Sequence, residues 1–257
     1  AIIYSNEWSD HPDDKGSYAC AYPLHCIRHG FPVVRSVQSR VHLVDPSFVD
    51  VQVGARWTFY SYEDPVSDLR GRGFLGFGTF HVWDPQRPME TITTFDHRTA
   101  QDGIYAGAFR PQKVTTVVPI LTRDELAAAP LLASARVTES EYWYELRSLN
   151  SGISHAVFPY SSTMKEWEQP VTIDWATYTF STSGRHILGV YDEYASPPRE
   201  VASASEIDDY GNPLLTWRWT LGGVTEGVAN TYETWPSYWL MGLPQKHCVK
   251  KIEEASP

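Results

Sequence analysis

Two groups of residues in this 257-residue chain have side chains and spacings that could support chemistry. Cys20, His25, Cys26 and His29 place two thiols and two imidazoles within ten positions. Such a set suits zinc, but C-x4-H-C-x2-H departs from the usual structural spacings, and the adjacency of His25 and Cys26 makes joint tetrahedral ligation awkward. Cys20 and Cys26 also enclose a short proline-containing loop and form a candidate disulfide, which would imply an oxidising compartment. Disulfide, free thiols and metal site stay open as readings of these residues, the disulfide being the one carried forward. Cys248 stands alone near the C-terminal end.

Glu139 and Glu141 form the second group. On one face of a strand their Cα atoms lie roughly 6–7 Å apart, not far from the carboxylate spacing of a retaining glycosidase. Alternating glutamates are also ordinary on the solvated face of an antiparallel sheet, and that reading is preferred. Asp13-Asp14 and Asp208-Asp209 fit turns. The chain holds no G-x-S-x-G, and no glycine loop leads from a strand into a helix. We therefore assign no catalytic residue, no cofactor site and no metal site. His81, alternating with Trp83, reads as a packed or hydrogen-bonded residue. The tryptophans at 57, 83, 143, 175, 217, 219, 235 and 239 offer either cross-strand packing or a surface for sugars.

The elements that must position these residues read as strands. Aromatic residues make up 14% of the chain, including ten Trp and fifteen Tyr, which favour pleated, half-buried faces. The net charge of −10 comes without a basic block, which argues against nucleic acid as a partner. No apolar run of eighteen residues occurs, so no membrane-spanning helix is expected. The first residues show neither an initiator Met nor a signal-peptide pattern, and the chain reads as the middle of something longer.

Strand patterns are expected over 31–44, 51–62, 74–83, 90–95, 114–121, 137–146, 172–180, 203–207, 214–220, 228–234 and 247–253. A charged turn is expected around Glu63-Asp64 and a long hairpin within 150–170. Thr122 and Glu125 form a capping box ahead of Leu126-Ala127-Ala128-Ala129, and Pro130 should stop the chain there, so one short helix is expected near 123–129. We divide the chain into a loop-rich segment (1–30), a first β section (31–121) and a β-hairpin section (122–257).

One set of motifs is more specific. Tyr60-x-Tyr62-Glu63 precedes Asp68-x-Arg70-Gly71-Arg72-Gly73-Phe74-Leu75-Gly76-Phe77, then come Thr94-Phe95-Asp96, Asp208-x-Tyr210-Gly211-Asn212 and Trp239-Leu240-x-Gly242-x-Pro244. In this order they resemble the YD/Rhs-repeat shell proteins, in particular the B component of bacterial toxin complexes and the SpvB-like proteins, over roughly residues 33–255. The repeat's Tyr-Asp pair appears here as Ile207-Asp208 and Phe95-Asp96, and no aspartate-rich self-cleavage motif is present. The resemblance implies an all-β, extended antiparallel hairpin strip forming part of a hollow shell. It implies a non-enzymatic role in a secreted bacterial toxin or virulence protein. The partners would be the rest of the shell and an encapsulated toxin cargo. A secreted carbohydrate-binding or adhesive β module is the alternative.

Overall fold

The protein is described by a computed structural model, which covers residues 2–5, 20–27, 32–43, 52–84, 89–120, 131–149, 154–173, 199–208, 212–220, 224–235 and 240–253. All regular structure in these residues is β: β1 (Ile2–Ser5), β2 (Leu24–Cys26), β3 (Val33–Leu43), β4 (Gln52–Asp68), β5 (Gly73–Asp84), β6 (Met89–Phe95), β7 (Pro111–Ile120), β8 (Leu131–Leu149), β9 (Ser154–Ile173), β10 (Arg199–Ile207), β11 (Pro213–Thr220), β12 (Val224–Trp235) and β13 (Leu240–Glu253). The expected helix at 123–129 lies outside the described residues.

The strands form one open antiparallel sheet. From β3 to β13 each strand pairs with the next in sequence; β1 pairs with β3, and β2 attaches to the end of β4. Two expectations need correction. Residues 154–173 form one strand rather than a hairpin, paired with β8 from Leu131↔Ile173 to Leu149↔Ser154. Its polar residues suggested a turn, yet Ser161, Ser162 and Thr163 pair with Trp143, Tyr142 and Glu141, and the register shifts only beyond Ser161, where Pro159 meets Tyr144. The strand β4 also runs on through Glu63-Asp64 to Asp68, so the turn falls at 69–72. Of the strand expected at 172–180, only its first two residues are described, at the end of β9.

Residues directly opposed across an antiparallel ladder share a face. Following the register from β3 to β9 gives one row, Ser36–Phe59–Trp83–Glu90–Val117–Val137–Trp167. Five of these seven are buried, and Val117 and Val137 have no exposed surface. The main core is thus a belt crossing seven strands on one face. A second, smaller core lies where β4 turns into β5, made of Val66, Leu75 and Tyr105 with Cys20, Leu24 and Ala108 packed around it.

Candidate functional site

The β4–β5 end gathers most of the residues singled out in the sequence, and short-range chemistry explains its shape. Asp68 sits at the last position of β4 with its side chain buried. Its carboxylate accepts from the Arg70 backbone N–H at 2.7 Å and from the Arg70 guanidinium at 3.2 and 3.4 Å. The Asp side chain thereby closes the turn on its own backbone two residues on. Arg70 also donates to the Tyr105 hydroxyl at 3.2 Å, tying the turn to the small core. Burial pushes the Asp68 carboxyl up, but the hydrogen bonds and charge of Arg70, with a contribution from Tyr105, outweigh it and hold the group below its ordinary value.

Gly71, Gly73 and Gly76 have φ of 102°, 74° and 103°, which an L side chain rarely tolerates. That requirement accounts for the glycine spacing of the motif. Beyond the turn, the rings of Tyr60, Phe80, Tyr62, Phe77, Phe74 and Phe109 follow one another with centroids 4.8–6.2 Å apart.

Behind the turn lies a half-buried polar knot that the motif reading passed over. Asp64 stands in β4 with φ 55° and ion-pairs with Arg98, whose Nε donates at 2.9 Å. His97, almost fully buried, donates from Nε2 to the Asp64 carbonyl oxygen at 2.9 Å. Gly78 lies opposite, where a Cβ would come within 2.9 Å of both the Asp64 carboxylate and the His97 ring. The signal that could have exposed this region is Asp102-Gly103, a hairpin dipeptide. Both residues take positive φ (52° and 74°), and Gln101 and Ile104 exchange backbone hydrogen bonds around them.

Cys20 and Cys26 are joined in a disulfide with Cα atoms 5.5 Å apart. The bridged loop is stitched to β4 by Leu69 N–H to the Pro23 carbonyl and by Ile27 N–H to the Pro65 carbonyl, each 3.0 Å. Arg98 Nη2 points at the Cys26 sulfur from 3.7 Å. Bridged sulfurs are not thiolate ligands; His29 lies outside the described residues.

The remaining motifs sit elsewhere. Asp208 accepts from the Asn212 backbone N–H at 2.8 Å and from its side-chain amide at 2.9 Å, and Asp208 N–H returns a bond to the Asn212 carbonyl at 3.0 Å. Arg147 of β8 donates to the Ile207 and Asp208 carbonyls from across the sheet. Gly211 and Trp239 lie outside the described residues. Gly242 and Pro244 belong to β13, which among the described residues pairs only with β12, and an outermost strand is where proline is tolerated.

Glu139 and Glu141 do share a face, but each meets lysine. The Glu139 carboxylate is ion-paired with Lys113, and the register sets Glu139 opposite Lys165 and Glu141 opposite Lys113. His81 lies between Glu63 (3.7 Å) and Glu90 (3.4 Å). These are cross-strand charge pairs of a sheet face. On that same face Trp143 and Trp217 stand in one row, separated by Ser161 and Ala204, with Trp219 in the next. All three rings are substantially exposed. No family model matches the chain, and no curated protein sequence matches it.

Proposed function

We propose that the chain is a non-enzymatic section of the wall of a hollow β-shell, in a secreted bacterial protein of the toxin-complex or Rhs type, enclosing a toxin domain. The observation that carries this reading is the sequential antiparallel meander from β3 to β13 with strands of up to 20 residues. Strands in globular domains are usually about 5–6 residues, so β8 and β9 are far longer than a compact sandwich calls for. A strip built this way pairs each new edge with the next hairpin and leaves few free edges. The charge pairs around Glu139 and Glu141 suit a wall better than an active site. Imaging of the parent particle tests the reading: a hollow particle whose contents resist protease supports it, and a solid or strand-poor particle overturns it.

Carbohydrate binding is the second reading, favoured by the exposed Trp143, Trp217 and Trp219 on one face. Trp143 and Trp217 stand three strands apart, about 14 Å, and aromatic faces stack on the apolar faces of sugars. A glycan-array signal lost in Trp217→Ala and Trp219→Ala would establish this reading, and a blank array would remove it.

A further inference from the structure

Asp64 breaks the backbone rule of its own position. A residue before proline is confined to extended conformations, and Pro65 follows, yet Asp64 takes φ 55° inside β4. Its surroundings must hold it there against a conformational cost, and such outliers gather where a structure does chemistry.

Those surroundings are specific. Arg98 ion-pairs with both oxygens of the Asp64 carboxylate and fixes its orientation. His97 is 2% exposed, and its Nε2 lies 2.9 Å from the Asp64 carbonyl oxygen and 3.5 Å from the carboxylate Oδ2. One buried ring nitrogen therefore reaches both the oxygen of the Asp64–Pro65 amide and the carboxylate of the same residue. Gly78 leaves the room for this, since a Cβ there would crowd the carboxylate and the ring together. An ion pair alone would require neither the left-handed backbone nor an imidazole on the amide oxygen. The two Arg98 donors occupy two of the carboxylate's roughly four acceptor sites, so an oxygen lone pair remains for reaction.

We propose that the chain cleaves itself at the Asp64–Pro65 bond. Proline has no N–H, so its nitrogen cannot close a ring on the Asp64 side chain, and the open route is attack by the carboxylate. A carboxylate oxygen adds to the carbonyl carbon of its own residue, and His97 Nε2–H donates to the oxyanion that forms. The C–N bond then breaks. The Pro65 nitrogen takes a proton from water, Asp64 is left as a cyclic anhydride, and the hydroxide so formed opens it. The sum is hydrolysis, with a new carboxyl end at Asp64, a new amino end at Pro65 and no change of oxidation state. It is a single event in each chain, without turnover, and is independent of the shell reading. Residues of β4 on both sides of the bond pair with β5, so the pieces should stay together until the sheet is unfolded.

The sequence supplies its own controls, because Asp45–Pro46 and Asp84–Pro85 are the same dipeptide. Purified full chain is incubated at neutral pH for several days with protease inhibitors, then denatured and weighed by mass spectrometry. Fragments ending at Asp64 and beginning at Pro65 are expected, without cleavage at the other two bonds, and incubation in denaturant should remove that preference. Asp64→Gly suits the left-handed backbone and has no carboxylate, so it should stay whole. His97→Gln should slow the cut about a hundredfold. An intact parent chain, comparable cleavage at all three bonds, a cut persisting in Asp64→Gly, or a parental rate in His97→Gln would each overturn the proposal. Should His97→Gln fail to fold, the bond preference and Asp64→Gly decide it.

Discussion

Asp68 couples a turn to the proton concentration. Its folded-state carboxyl titrates below the ordinary value, so its stabilising contribution is present above the unfolded-state value of about 3.9 and is lost as pH falls through the folded one. Asp68→Asn should therefore melt lower than the parent at neutral pH, with the gap closing in acid; a gap independent of pH would refute the assignment. Tyr144 behaves in the opposite sense. Burial, then Tyr142, raises its hydroxyl against the pull of Arg110, and that hydroxyl donates to the Pro111 carbonyl at 2.8 Å. Its contribution is present below about pH 10 and lost as pH rises through the raised value. In a phenolate absorbance titration of the folded chain, Tyr144→Phe should remove a late-ionising group. Gly107 is constrained by space: a Cβ there would sit 2.2 Å from the Asp96 carbonyl oxygen. Gly107→Ala should cost about 1–3 kcal/mol in denaturant unfolding, because backbone cannot swing aside as a side chain could.

At the scale of elements, the bridged loop 20–26 and the belt row are the pieces whose removal has a calculable effect. Reducing Cys20–Cys26, or replacing both cysteines with serine, should destabilise by about 2 kcal/mol on the chain-entropy estimate for so short a loop. Amide exchange at Leu69 and Ile27, whose N–H groups bond to Pro23 and Pro65, should report the change locally. Val117→Ala and Val137→Ala should each cost about 2 kcal/mol, and since the two are direct partners the double variant should cost less than the sum. Much of this architecture was legible beforehand. Strand positions followed from alternation, but the turn was expected at Glu63-Asp64 rather than at 69–72, although the positive φ of Gly71, Gly73 and Gly76 is a local demand that marks the true position. The polar knot was not legible, because Asp64, Gly78, His97 and Arg98 are joined only by tertiary packing. The single strand β9 was missed for a related reason: its serines and its two prolines read as loop, and only its partners in β8 and β10 make it a ladder.

For the whole molecule, the belt concentrates burial on one face of a very wide sheet, and the exposed aromatic residues lie partly on that face and partly at the β4–β5 end. The sequential pairing also has a consequence in time. Because each strand from β4 onward finds its partner in the strand just before it, a ribosome delivers the sheet in the order in which it can be assembled. Each hairpin can close while the next is still being made, so long pairing searches are avoided. Among the described strands, β1 must wait for β3 and β2 for β4. The Cys20–Cys26 loop therefore gains its backbone anchors only once β4 has emerged.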